Sequence, residues 1–548
     1  MLISGVYRKV TYGYLFFVFF LWLGFWFKFT VHQVLDYSYV EPIGGFSGSA
    51  SSWDDVLMIA TIAAIGVISA RLSYFFLSEK STFVVAKELL GEKGAHNQRN
   101  GMISRYINRS VSAVPEWYPS TRIYLWMTAF LIVILTWIAN IKYGIQNVGL
   151  VPRTILFWPL NAVISYVEDI GAAMIVAMLV WWDFLLKKAP NWSIAAILGE
   201  AIIASISIWS RGVYLFHAVP QLLSLFLNQK LFGFFSPRRA VLTGVAGLTL
   251  LLLSIPIITT FRSYSYPHKG GWTFESQKRL IRIEVLEGGI AHIKRLIARG
   301  EHREAELQGL ISEKTNLERL ESIHSAEGNV ILNKADDSTK ENTQNSKTLL
   351  KENALSNDVR PKRIGSLLGE FKDELMKNNP KVIIGLSIDR WVGLEGVMAV
   401  SAYPLKGRET FFTGLQENGV GKKPTIYQYI SNSSYRYTDS EVWKFATLPG
   451  LVAFLYFSGS KWVVFLGMLI GTLLLFLWER FIFGATRNPL MCSLLGFVLA
   501  NNLAQFGVAP RSSLHYFLMI VLGVFAIWVL RSYKMAALLV SYKTRSNN

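Results

Sequence analysis

The chain has 548 residues, of which 52% are hydrophobic and 17% charged, whereas soluble domains usually carry about 25% charged residues. The formal net charge is +18, but the Lys and Arg residues lie mainly between apolar segments, so we do not expect nucleic-acid binding. The single cysteine, Cys492, excludes an intrachain disulfide and a cysteine-based metal site.

Repeated apolar segments predict an all-α polytopic membrane protein with about 10–12 transmembrane helices, because about 20 apolar residues cross a bilayer as one helix. The first segment is too long and aromatic for a signal peptide and lacks a small-x-small cleavage site, so we expect it to be retained. The segments lie near residues 12–30, 56–77, 122–141, 170–186, 192–209, 213–230, 240–260, 443–459, 462–480, 489–508 and 513–530.

The basic residues between these segments predict the orientation of the chain. Arg8 and Lys9 precede the first helix, and the next loop, residues 32–55, contains no Lys or Arg. Positively charged loops stay in the cytoplasm, so we expect a cytoplasmic N-terminus. The C-terminal helices conflict with this rule, because four crossings would leave Arg531 and Lys534 outside. We therefore expect a re-entrant hairpin or a miscounted crossing, and a C-terminus inside.

A large hydrophilic insert separates two transmembrane bundles and is expected on the periplasmic or extracellular side. Apolar residues recur at helical spacing within residues 274–325. Residues 326–363 are polar and poor in aromatics, which predicts disorder, and residues 381–437 are apolar enough to be ordered against the membrane. The predicted parts are the N-terminal bundle, the insert and the C-terminal bundle, at residues 1–260, 261–442 and 443–548.

Three short segments carry the candidate site residues. Arg211 and His217 lie at the predicted outer junction of two helices: an arginine can bind phosphate oxygens, and a histidine can act as a general base near neutral pH. Each residue also has a purely structural interpretation: Arg211 as an arginine bound to lipid headgroups, and His217 as a histidine that only packs between helices. Arg262 follows the seventh helix among aromatic residues, which suit sugar and phosphate contacts or an ordinary interfacial belt.

The insert contributes the sequence from Asp389 to Glu395. Arg390 can hold a phosphate, Trp391 can stack on a sugar ring and Glu395 can accept a proton. A structural Asp389–Arg390 pair that caps a short helix is the alternative. Weaker candidates for substrate binding are Arg153 and Arg511. No phosphate-binding glycine loop, dinucleotide fingerprint or paired-histidine metal motif occurs, so we expect no metal and no cofactor.

These features resemble the bacterial O-antigen and exopolysaccharide polymerase (Wzy-type) family and the related O-antigen ligases. The similarity lies in many helices split by one late outer segment, in Ser210–Gly212 just outside a mid-chain helix, and in the Asp-Arg-x-x-Gly stretch at Asp389–Gly393. The charged tract at 274–363 departs from the pattern and suits docking of partners.

The resemblance implies a polysaccharide polymerase of the bacterial cytoplasmic (inner) membrane. Such a glycosyltransferase transfers glycan from undecaprenyl pyrophosphate to a sugar hydroxyl on the outer face. The resemblance implies that Arg211, Arg390 and Arg262 bind pyrophosphate, with Glu395 or His217 as the base. The partners that it implies are the lipid-linked oligosaccharide, membrane lipids and a chain-length regulator or other assembly protein. The alternatives are a ligase, another lipid-carrier glycosyltransferase, a lipid-linked oligosaccharide flippase, and a non-enzymatic assembly protein.

Overall fold

The computed structural model contains only helices as regular elements in the part of the chain that it describes, which confirms the all-α class. It describes residues 11–35, 39, 41–77, 114–149, 151–157, 159–186, 190–227, 237–265, 391–417, 424–433, 447–507 and 510–531, with isolated residues between 297 and 318.

Seven of the described helices are long and apolar enough to cross a membrane, and two further apolar helices, Trp192–Ser207 and Pro489–Ala504, are shorter. The protein is therefore a multi-pass membrane protein. The seven candidate spans are Tyr12–Val34, Ala50–Tyr74, Tyr118–Tyr143, Leu160–Leu185, Val241–Ile258, Lys461–Thr486 and Ser513–Arg531.

The helices are numbered in chain order. Up to the insert they are α1 (Tyr12–Trp22), α2 (Lys28–Leu35), α3 (Ala50–Leu77), α4 (Tyr118–Tyr143), α5 (Leu160–Tyr166), α6 (Ala172–Leu185), α7 (Pro190–Ser207), α8 (Arg211–Leu227) and α9 (Pro237–Ser265). In the rest of the chain, from Trp391 onward, the helices are α10 (Leu394–Ala402), α11 (Arg408–Gln416), α12 (Ile426–Ile430), α13 (Leu451–Tyr456), α14 (Lys461–Thr486), α15 (Pro489–Ala504) and α16 (Pro510–Arg531). Single π-helical turns, Leu23–Phe27 and Val167–Gly171, join α1 to α2 and α5 to α6.

The predicted membrane helix at 443–459 is wrong. The described part of this segment holds only the six-residue helix α13, which is far too short to span a bilayer. Gly450 and Gly459, with φ of +78° and +69°, bracket α13 in left-handed conformations that end a helix. Three apolar helices, α14 to α16, follow. Three crossings would return the C-terminus to the side predicted for the N-terminus.

The helix predicted near residues 170–186 begins earlier in the structure. The chain is non-helical only as far as Pro159, and α5 already belongs to the candidate span Leu160–Leu185. The π turn Val167–Gly171 interrupts that span, and such turns often mark functional sites. Glu168 and Asp169 therefore lie inside the membrane domain.

The chain forms two compact units. The first combines Met1–Ser263 with Asn378–Asn548, so the helices before and after the insert pack as one membrane domain. The second unit is Tyr264–Lys377, and its described residues are helical: they are Tyr264 and Ser265 at the end of α9, and residues between 297 and 318. The predicted disorder at 326–363 lies outside the described residues.

Helix α1 is held at the centre of the membrane domain by α14 and α15. The Glu479 carboxylate of α14 accepts hydrogen bonds from the backbone N–H groups of Tyr12 (3.0 Å) and Gly13 (2.7 Å). These donors have no partner within their own helix. Gly13 also faces Gly496 of α15, where a methyl group built on Gly496 would lie 2.9 Å from the Gly13 nitrogen. The backbones can approach this closely because Gly496 has no side chain.

We predict that Gly496→Ala destabilises the protein, whereas Gly484→Ala, a matched change on the exposed side of α14 with open space around it, does not. Both changes gain the same helix propensity, so the difference between them isolates overpacking, which typically costs about 1–3 kcal/mol. Thermal unfolding of the detergent-solubilised variants measures it. Equal melting temperatures for the two variants would show that the α1–α15 crossing is not tightly constrained.

Candidate functional site

The candidate residues gather at one end of the membrane domain. At this end α2 and α7 finish and α8 begins. We call it the outer end, following the orientation that the charge pattern predicts.

Arg211 begins α8 directly after a tight turn. The turn is fixed twice: the Ser205 hydroxyl donates to the Ser210 carbonyl at 2.8 Å, and the Ser210 N–H donates to the Ser205 carbonyl at 2.9 Å. Trp209 adopts a left-handed conformation in it, with φ of +59°, which is uncommon for a bulky residue and marks a locally strained backbone. The Arg211 side chain is half-buried at the start of the helix.

Arg153 joins Arg211 at the outer end. Its guanidinium lies 5.9 Å from the centre of the Trp209 ring, a cation–π arrangement. Its backbone N–H donates to the Gly144 carbonyl at 2.9 Å. The structure therefore brings Arg153 to the turn that immediately precedes Arg211.

The packing of α8 against α15 places polar groups beside Arg211. The Ser493 hydroxyl donates to the Pro220 carbonyl at 2.6 Å, and the Phe216 and Phe497 rings lie 5.4 Å apart. Pro220 and Phe216 are one turn apart on α8, and their partners Ser493 and Phe497 are one turn apart on the antiparallel helix α15. One further turn in the same direction brings the start of α8 level with Asn501 of α15.

Aromatic rings connect this region to the end of the insert. Phe497 contacts Phe16, Phe20 and Phe216 with ring centres 4.8, 5.1 and 5.4 Å apart. Phe20 in turn stacks on Trp391 at 5.8 Å. We call Phe16, Phe20, Phe216, Phe497 and Trp391 the aromatic wall. It joins the helix that begins with Arg211 to the sequence motif around Trp391.

Lys28 holds the Trp391 segment against the first membrane helix. Its side chain is completely buried, and its Nζ forms an ion pair with Glu395 and donates to the Trp391 carbonyl at 3.0 Å. Glu395 lies in the first turn of α10, where a negative charge is stabilised by the helix dipole. In this conformation the Glu395 carboxylate is occupied by Lys28 and only 4% exposed.

Two tyrosines, Tyr39 and Tyr427, lie close enough to Glu395 to interact with it electrostatically. His32 stacks on Tyr39 with ring centres 4.2 Å apart. Burial, and then the charge of Glu395, raises the pKa of Tyr39. The pKa of Tyr427 is also raised well above its usual value, by burial first and then by Glu395 and Glu41. Both phenols therefore stay protonated near neutral pH.

His217 lies deeper than Arg211 and is 1% exposed. Its Nδ1 is 2.9 Å from Glu200 Oε1, and its Nε2 is 2.9 Å from the Asp169 carbonyl oxygen. Both ring nitrogens are thus occupied, so neither is open to a substrate hydroxyl in this conformation.

The remaining predicted residues are only partly placed. Arg262 lies in α9 and Arg511 in α16, and the structure describes their backbones but not their side chains. Asp389 and Arg390 lie outside the described residues.

Several buried ionisable residues escaped the sequence analysis. Lys28 and Glu200 each interrupt an apolar segment, and an ionisable residue inside such a segment is itself a signal of function. Glu168 and Asp169 were missed because the helix predicted at residues 170–186 begins just after them. No group of three or more His, Cys, Asp or Glu side chains within the described ranges is arranged to hold a metal ion.

We predict that Lys28→Met destabilises the protein by about 3–5 kcal/mol, because it leaves the Glu395 carboxylate buried without its cation. The double variant Lys28→Met, Glu395→Gln should recover part of that loss, since it removes both charges. Thermal unfolding of both variants and of Glu395→Gln closes a double-mutant cycle. Additive effects would mean that the two side chains are not coupled.

Comparisons of the chain with protein-family models, curated proteins and solved structures give no match.

Proposed function

We propose that the protein is a glycosyltransferase that extends a polysaccharide at the outer face of a bacterial cytoplasmic membrane. It would transfer the growing glycan from undecaprenyl pyrophosphate to a hydroxyl of a new lipid-linked unit, as Wzy-type polymerases do. The observation that carries the proposal is the placement of Arg153 against Trp209, two residues before Arg211, at the start of the helix that contributes Phe216 to the aromatic wall.

The reaction needs positive charge at the leaving group. The bond between the sugar C1 and the pyrophosphate oxygen breaks, the electron pair stays on the pyrophosphate, and the acceptor hydroxyl attacks C1 and loses a proton. Arginine side chains remain charged and can bind phosphate oxygens with two parallel hydrogen bonds. Arg211 and Arg153 would stabilise the charge that develops there. The donor is already activated, so the proposal requires no cofactor.

The aromatic wall suits the other parts of the substrate. Aromatic side chains offer large apolar faces with a polar edge. Phe216 and Trp391, the two partly exposed rings of the wall, would contact sugar rings and the first isoprene units of the carrier. Phe16, Phe20 and Phe497 are buried and would hold these two rings in place. Membrane lipids would cover the rest of the apolar surface.

Glu395 and His217 are the candidates for the proton acceptor. Glu395 can accept a proton only after Lys28 releases it, and His217 is held between Glu200 and Asp169. Catalytic hydrogen bonds often form only in the substrate complex, so this geometry leaves Glu395 a candidate base. An O-antigen ligase would use the same donor chemistry with a different acceptor.

A lipid-linked oligosaccharide flippase is the second candidate, because of one specific observation. Asp169, Glu200 and His217 lie together inside the membrane domain. Ionisable residues at membrane depth often mark proton or ion pathways in transporters.

The proposal predicts that Arg211→Ala abolishes long polysaccharide chains while single repeat units remain on the surface. The test deletes the gene in its host, restores it with each variant, and profiles surface and lipid-linked glycans by gel and mass spectrometry. Loss of one stabilising group at a developing charge typically costs about 10²–10³-fold in rate. Arg408→Ala, an exposed arginine on α11 that stacks on Phe412, is the matched control and should leave the polymer unchanged.

The glycan pattern separates the candidates. Free lipid-linked polymer without attachment would indicate a ligase, and single units trapped on the inner face would indicate a flippase. An unchanged profile in the Arg211→Ala strain would contradict the role given to this arginine.

A further inference from the structure

The hydrogen bonds of His217 require a bound proton in the membrane domain. The Asp169 carbonyl can only accept, so Nε2 of His217 must carry a hydrogen. Nδ1 then faces a carboxylate oxygen, Glu200 Oε1, at 2.9 Å. Two lone pairs would repel at this distance. A proton must therefore lie between them, either on Nδ1 as an imidazolium or on Glu200 as a carboxylic acid.

Further acidic groups surround this pair. Asp169 and Glu168 occupy the π turn Val167–Gly171, and Glu168, Glu200 and Asp169 are close enough to interact electrostatically. Tyr516 of α16 lies near Asp169 and Tyr166. The carboxylates of Glu168, Asp169 and Glu200 form no ion pair with a Lys or Arg of the described residues.

Some buried polar atoms in this region lack a hydrogen-bond partner in the described structure. Glu168 Oε2 and Glu200 Oε2 are two of them, and Gln221 Oε1 is a third. Gln221 is completely buried, and its Nε2 donates to the His217 carbonyl. An unpaired acceptor is costly to bury. The two carboxylate oxygens can lower that cost by binding a proton, and the Gln221 oxygen can accept a hydrogen bond from a protonated carboxyl.

A proton fits this cluster better than a metal ion does. Three carboxylates with one histidine carry excess negative charge, which burial strongly disfavours unless a cation compensates it. No described group of His and acidic side chains has the arrangement of a metal site. Protons can neutralise the carboxylates one at a time without any fixed coordination geometry.

The cluster has a polar connection toward the outer end. Gln146, in the loop after α4, donates from Nε2 to Asp169 Oδ1 at 2.5 Å. Asn140 fixes this loop by accepting from the Gln146 N–H at 2.8 Å and by donating to the Gln146 and Ser207 carbonyls at 3.0 Å. His217 is six residues into α8, which places it about 9 Å below Arg211 at the rise of an α-helix.

We propose that His217, Glu200, Asp169 and Glu168 form a proton-binding site inside the membrane domain, which exchanges protons with the outer face past Gln146. The His217–Glu200 pair holds the proton that the hydrogen bonds require. The neighbouring carboxylates stabilise it by their charge. The site does not depend on the proposed glycosyl transfer.

The test is infrared difference spectroscopy of the purified full-length protein in lipid nanodiscs, recorded while the pH is raised from neutral. Wild type should lose bands of a protonated carboxyl or an imidazolium. Glu200→Gln should lack this change, because its amide can donate to Nδ1 permanently and keep the geometry without a removable proton. Glu409→Gln removes an exposed carboxylate and should behave like wild type.

A second variant keeps the proposal testable if Glu200→Gln does not fold. Asp169→Asn leaves the His217–Glu200 pair in place and removes a neighbouring negative charge. Proton release should then shift to lower pH, by at least about one pH unit. Bands in Glu200→Gln identical to those of wild type, or no shift in Asp169→Asn, would overturn the proposal. Infrared bands that change when potassium replaces sodium at constant pH would instead identify a sodium site.

Discussion

The burial of charge inside a membrane domain is the constraint on which the rest of this structure depends. In the hydrocarbon region each buried charge and backbone group needs a partner within the protein. Glu479 meets the N–H groups at the start of α1, and Lys28 at the other end of this span pairs with Glu395. Both partners come from the C-terminal half of the chain. The first span is thereby tied at both ends to residues of the Asn378–Asn548 part of the membrane domain.

This arrangement explains how a site is assembled from distant parts of the sequence. Lys28 fixes the carbonyl of Trp391, and Phe20 stacks on the Trp391 ring, so the end of the insert is held against the first span. The same span packs through Phe20 against Phe497, which reaches Phe216 of α8. The outer-end arginine at the start of α8 and the insert motif thus belong to one continuous packed layer.

The sequence predicted the apolar helices well, because length and hydropathy nearly determine whether a segment can cross a bilayer. It failed at α13, where an apolar segment is divided by Gly450 and Gly459 and packs as a short helix. It also identified Arg211 and Glu395 as unusual. It could not identify their partners, since Lys28 and Glu395 are 367 positions apart and only the tertiary fold joins them. Glu200 was overlooked, although it is an acidic residue within an apolar helix.

Reconstitution of the purified protein in liposomes with lipid-linked oligosaccharide units tests the central claim most directly. Glycosyl transfer from the carrier predicts that polymer forms without any nucleotide sugar, and that one undecaprenyl pyrophosphate is released for each unit added. Mass spectrometry of the lipid fraction measures this ratio. Units that only change leaflet, with no polymer and no free carrier pyrophosphate, would contradict the enzymatic account and favour a flippase.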